Sequence, residues 1–107
     1  MNRQEHLLSI VAEECAEVAQ RASKALRFGL YETQPDQALN NWERIMYEFA
    51  DLCAALELTR PDSTIDELVD SLRPAINAKR AKVEKFLAYS ATCGTLTKEP
   101  KGEEAGT

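Results

Sequence analysis

Glu13-Glu14-Cys15-Ala16-Glu17 and, downstream, Glu48-Phe49-Ala50-Asp51 are the two stretches on which the reading of this chain turns. Each sets carboxylates three residues apart within an amphipathic helical pattern, and residues at i and i+3 share a helix face. Each stretch can therefore aim two acids at one point, and four acids aimed together call for a cation. At about 100° per residue, Leu7, Leu8, Val11, Cys15, Val18, Ala22 and Leu26 form the apolar stripe of the first segment, with Glu14 and Glu17 along one edge. In the second, the stripe is Trp42, Ile45, Met46, Phe49, Leu52, Cys53 and Leu56, and Glu48 and Asp51 lie on the edge of the same rotational sense. Two helices packed stripe to stripe bring such edges together only if they run antiparallel. The pattern thus predicts an antiparallel pair with one shared acidic face.

With 107 residues the chain is long enough for one domain with a modest core. A hydrophobic content of 44% with four Gly, four Pro and few β-branched residues predicts an all-α fold rather than a sheet. The formal charge of -5 argues against nonspecific binding to nucleic acid or acidic membranes, though a bound metal can reverse the local sign. Cys15, Cys53 and Cys93 form no C-x-x-C pair, so neither a disulfide framework nor a zinc site is indicated, and Cys15 and Cys53 read as small buried hydrophobes. No apolar run reaches the roughly 20 residues of a membrane span and no signal-peptide core is present, which sets a cytoplasmic expectation.

The first helix is expected from about Arg3 to Arg27, stopping near Gly29, with Arg21, Lys24 and Arg27 suited to its negative C-terminal end. Phe28 to Asn40 reads as a long loop, of a length that is often functional or mobile. A second helix runs from about Asn41 to Thr59 with Asn40 or Asn41 as N-cap, and a third from Thr64 to about Leu72 behind Asp62 or Ser63. Pro74 predicts a break or kink, with a fourth helix from Pro74 to about Tyr89. Residues 1–92 then form the helical domain and residues 93–107 a flexible tail, polar beyond Gly94. In the fourth helix Lys79 and Arg80 fall within the sector defined by Ile76, Val83 and Leu87, with Lys82 at its edge, so these bases need anionic partners. Trp42, Phe49 and Phe86 read as core, whereas Phe28 and Tyr31 in the loop are candidates for stacking on a base.

Two other uses of the acids were weighed. A di-iron carboxylate bundle needs Glu-x-x-His on two helices, and the chain has one histidine, His6. A purely structural network would pair the acids with Lys79, Arg80 and Lys82 in a non-catalytic interaction module, but buried ion networks add little stability.

Glu13-Glu14-x-x-Glu17 followed by Glu48-x-x-Asp51, all on helices, resembles the signature of the MazG-like all-alpha nucleoside triphosphate pyrophosphohydrolases, over about residues 3 to 90. The resemblance implies a four-to-five-helix antiparallel bundle whose core is completed by oligomerisation, as a homodimer or homotetramer. It also implies Mg²⁺-dependent cleavage of a nucleoside triphosphate to the monophosphate and pyrophosphate, with Mn²⁺ as an alternative ion. By the same resemblance Glu14, Glu17, Glu48 and Asp51 would bind metal, and Glu13 would either support those ligands from behind or help orient the attacking water. His6 would lie near the nucleotide, and Asn77 with Arg80 would contact phosphate; apart from the resemblance, the charges of Lys79, Arg80 and Lys82 would supplement the metals on the outer phosphates.

Overall fold

Two identical signals start the first two helices. In the computed structural model, which describes residues 1–97, Asn2 and Asn40 each stand in extended backbone and accept a hydrogen bond at 2.8 Å from the backbone N–H three residues on. Glu5 and Glu43 reach back to the N–H groups of Asn2 and Asn40, at 3.4 and 3.0 Å. Each capping box thereby satisfies donors that a helix start leaves free. The helices that follow are α1 (Arg3–Phe28) and α2 (Asn41–Thr59), within one residue of the bounds expected from sequence. Gly29 ends α1 at φ 111°, a conformation that side chains with a Cβ rarely adopt, and donates to the Ala25 carbonyl at 2.8 Å.

The connection between α1 and α2 is tied down rather than loose. The Asn41 side chain, 3% exposed, donates to the Gly29 carbonyl at 2.7 Å and to Glu32 Oε1 at 2.9 Å. The N–H groups of Asn41 and Trp42 donate to the carbonyls of Glu32 and Leu30 at 3.0 and 2.8 Å. Arg44 adds a bond to Gln34 at 3.2 Å. These bonds fold the end of α1 against the start of α2. At the other end Leu7 shares a groove with Leu58 and Thr59, so the pair is antiparallel.

The seam between α1 and α2 is displaced from the stripe that hydropathy marked out. Leu7, Ala25 and Ala55 are buried, with Ile10, Val11, Val18, Ile45 and Leu52 half-buried beside them. Glu14, Glu17 and Arg21 on α1 and Glu48 on α2 are half-buried in the same seam. Leu8, Leu26, Trp42, Met46 and Phe49, expected in the stripe, are 51, 87, 43, 40 and 47% exposed. Cys15 is exposed and Cys53 half-buried, which corrects the reading of both as buried. The physical reason is steric: small residues such as Ala25 and Ala55 let the backbones approach, and the bulky rings turn outward.

Past α2, Glu57 Oε2 accepts the N–H of Ile65 at 2.7 Å, a carboxylate at the positive start of the next helix. That helix, α3 (Ile65–Cys93), continues without a break through Pro74 and past Tyr89. The expected break is therefore absent, the third and fourth helices are one, and the described residues hold three helices rather than four or five. Ala75, Ala78, Lys79, Ala81 and Lys82, all strong helix formers, offset the hydrogen bond that Pro74 cannot give. After Cys93, Gly94 takes φ 79°, and the N–H groups of Thr95 and Leu96 both reach the Ser90 carbonyl, at 3.1 and 3.3 Å. Most of the expected tail, residues 98–107, lies outside the described residues.

The chain divides into two units, one spanning Met1–Ile65 and the other beginning at Asp66. The first holds the α1·α2 hairpin. Among its described residues, the second comprises α3 from Asp66 onward and the turn after it, contains no buried residue, and leaves Leu72, Val83, Phe86 and Leu87 exposed at 53, 44, 55 and 45%. Phe86 is thus surface rather than core.

Candidate metal centre

Glu14 and Glu17, one turn apart on α1, face Glu48 on α2, and each offers a carboxylate oxygen such that the three oxygens lie within 4.8 Å of one another. The meeting follows from the antiparallel pairing, since Glu48 sits on the same side of the hairpin as the two α1 acids. Oε2 of Glu14 and Oε2 of Glu48 are buried without a hydrogen-bond partner. Such groups normally find one, so a cluster that leaves two carboxylate oxygens bare is set up for a cation or a proton.

The electrostatics agree with that geometry. Burial, then the charges of Asp51, Glu48 and Glu13, raise the Glu14 carboxyl above its ordinary value. Glu17 is raised chiefly by a hydrogen bond with Glu48, then by the charges of Glu48 and Glu14, by burial and by Glu13. When Glu17 carries a proton it can donate to the Glu48 carboxylate, which is why their proximity favours the protonated form.

These shifts fix the sign of a pH effect. Both acids bind protons more tightly folded than unfolded, so folding stability is greatest at the acidic end of the window and falls as pH rises from about 4.5 through the raised values. Asp62, lowered by its hydrogen bond and charge pairing with Arg60 at 3.3 Å, acts oppositely and at lower pH. Urea denaturation in the presence of a chelator should therefore show stability declining from about pH 5 towards pH 7. A rise over that interval would mean that the acids are not crowded in solution.

Two of the residues singled out from sequence stand at the margin of the cluster. Asp51 is exposed and outside the group of three, yet near enough for its charge to act on Glu14. Glu13 is exposed and acts on both Glu14 and Glu17. His6 is exposed on an early turn of α1, and among the described residues no hydrogen bond or ion pair joins its ring to the acids. Asn77, Lys79, Arg80 and Lys82 belong to α3 in the other unit and are all exposed, as are Ile76, Val83 and Leu87, which define their sector. Lys82 Nζ stands 5.9 Å from the Phe86 ring centroid. Phe28 and Tyr31 are about half exposed, Phe28 beneath the Arg27 guanidinium at 5.3 Å.

Arg21 is the residue that sequence reading placed in the wrong role. Assigned only to the helix C-terminus, it instead projects into the seam, its Nε 3.7 Å from Glu48 Oε1, with its NH1 buried and unpartnered. The available signal was its spacing, one turn beyond Glu17 and on the same face. Comparison with known proteins adds no relative to this geometry: no family model matches the chain, and no match is found among curated proteins or solved structures.

Proposed function

We propose that the chain is a Mg²⁺-dependent nucleoside triphosphate pyrophosphohydrolase of the MazG-like type, converting a (d)NTP to the (d)NMP and pyrophosphate, with Mn²⁺ able to replace Mg²⁺. The observation that carries this reading is the meeting of Glu14, Glu17 and Glu48 across two antiparallel helices, with carboxylate oxygens left bare. The residues fit a hard divalent ion, because every donor is a carboxylate oxygen and the orphaned oxygens lack any other partner. Glu14, Glu17 and Glu48 would hold it, with Asp51 as the fourth acid of the set. When bound, the ion supplies positive charge against the phosphates and makes a water more acidic.

The chain's own residues account for the rest. Glu13, exposed beside the cluster, orients a water and accepts its proton. His6, Asn77, Lys79, Arg80 and Lys82 enter as substrate contacts through their chemistry, as donors able to meet nucleotide and phosphate oxygens. The exposed apolar side chains Leu8, Trp42 and Phe49 support a core completed by a second copy, in a homodimer or homotetramer. Among the described residues no helix is long and apolar enough to cross a membrane.

The test is a panel of canonical and modified (d)NTPs incubated with Mg²⁺. Monophosphate and pyrophosphate in equal amounts are expected from at least one of them; orthophosphate alone, or no turnover, rejects the activity. Light scattering on the same sample reads the assembly, and a monomer at micromolar concentration removes that part of the proposal.

The Arg21–Glu48 contact favours one competing reading, a non-catalytic helical interaction module in which the acids belong to an ion network. Under that reading Mg²⁺ leaves the melting temperature unchanged.

A further inference from the structure

Arg21 is the cation that the hairpin itself places against the acidic cluster. It lies in the seam one turn past Glu17, its side chain 20% exposed and that of Glu48 17% exposed. The separation of 3.7 Å between Nε and Oε1 is an ion-pair distance, longer than the 2.7–3.2 Å of an N–H···O hydrogen bond. NH1 of Arg21 and Oε2 of Glu48 face no partner, so the pair lacks the two parallel bonds with which arginine locks a carboxylate. A guanidinium spreads its positive charge over a planar fork of donors. It therefore pulls on Glu48 by charge while doing little to fix its orientation.

From this we infer that Arg21 is a built-in counter-ion that competes with the divalent cation for Glu48 and sets the affinity of the cluster for metal. The inference rests on the metal site proposed above and concerns its regulation. Arg21 partly neutralises Glu48 when no metal is bound and opposes a divalent ion arriving at the same carboxylates. It acts through Glu48 and does not touch substrate, so its effect falls on metal affinity.

The test is a Mn²⁺ titration of the full chain, with free Mn²⁺ followed by electron paramagnetic resonance. Arg21→Gln, with Arg21→Met as a second neutral variant, should bind Mn²⁺ about tenfold more tightly than wild type, the scale of one unit charge acting on a divalent ion across several ångströms of wet protein. Arg21→Lys, which restores the charge, should return to within about threefold of wild type. Lys24→Gln, an equal change in net charge one turn away, should have the smaller effect.

Equal or weaker binding in both neutral variants would overturn the inference, since Arg21 would then be supporting Glu48 rather than competing for it. Arg21→Lys binding as tightly as Arg21→Gln, or Lys24→Gln doing so, would also overturn it by separating the effect from the charge at this position. All three of these outcomes leave the metal site standing. A wild type that binds Mn²⁺ no better than Glu48→Gln removes the site itself, and this inference with it.

Discussion

Glu48→Gln is expected to abolish both the Mg²⁺-dependent rise in melting temperature and the pyrophosphohydrolase activity. Glu48 is the acid that α2 contributes to the group of three, and an amide replaces one of its anionic oxygens with a donor that repels cations. A ligand present at a hundred times its dissociation constant stabilises the folded state by about 2.7 kcal/mol, and this increment should vanish in the variant. Turnover should fall by about a thousandfold or more, since metal charge stabilisation contributes several kcal/mol and each 1.36 kcal/mol is a factor of ten. Differential scanning fluorimetry with and without Mg²⁺, alongside pyrophosphate release, measures both. Glu17→Gln is the companion, because it relieves the same crowding while leaving Arg21 its partner. Its metal-free form should be more stable than wild type at neutral pH. A Glu48→Gln protein that keeps the Mg²⁺ increment would place the ion elsewhere.

Asn41→Asp should be the most damaging single change to the hairpin, lowering stability by about 2–4 kcal/mol. The native amide is buried and donates to the Gly29 carbonyl and to Glu32, so it joins the end of α1, the connection and the first turn of α2. Aspartate has the same shape and no donor. It would leave the Gly29 carbonyl with only the long bond from the Glu32 N–H, at 3.4 Å, and set a second carboxylate against Glu32. Asn40→Ala, which removes only the cap bond to Glu43, should cost about 1 kcal/mol. Denaturant unfolding of the two variants decides the matter: a loss at Asn41 no larger than at Asn40 would mean that the connection is not anchored through this side chain.

The helical hairpin was legible in the sequence because its signals are local. Asn40 caps the second helix, Gly29 stops the first, and acids at i and i+3 show which sides face each other. What could not be read was the rotation of each helix about its own axis. Hydropathy put Leu8, Trp42 and Phe49 inward, whereas the approach of α1 to α2 at Ala25 and Ala55 carries Glu14, Glu17, Arg21 and Glu48 into the seam. That depends on which pair of surfaces meets, a tertiary property that no single-helix pattern contains. Arg21 was misread for the same reason, because its role is defined by a residue on the other helix. At Pro74 a sound local rule was outweighed by the helix formers on either side.

That uninterrupted α3 leaves one weak rung. Proline has no N–H to give the carbonyl of Asp70, and its ring crowds the backbone of Arg73 before it. Flexing of the rod is thereby concentrated at a single joint, and the stretches before and after residue 74 can tilt against one another while each keeps its own ladder intact. Any load on the far half of this helix, where Lys79, Arg80, Lys82 and Phe86 stand, is taken up at that joint first.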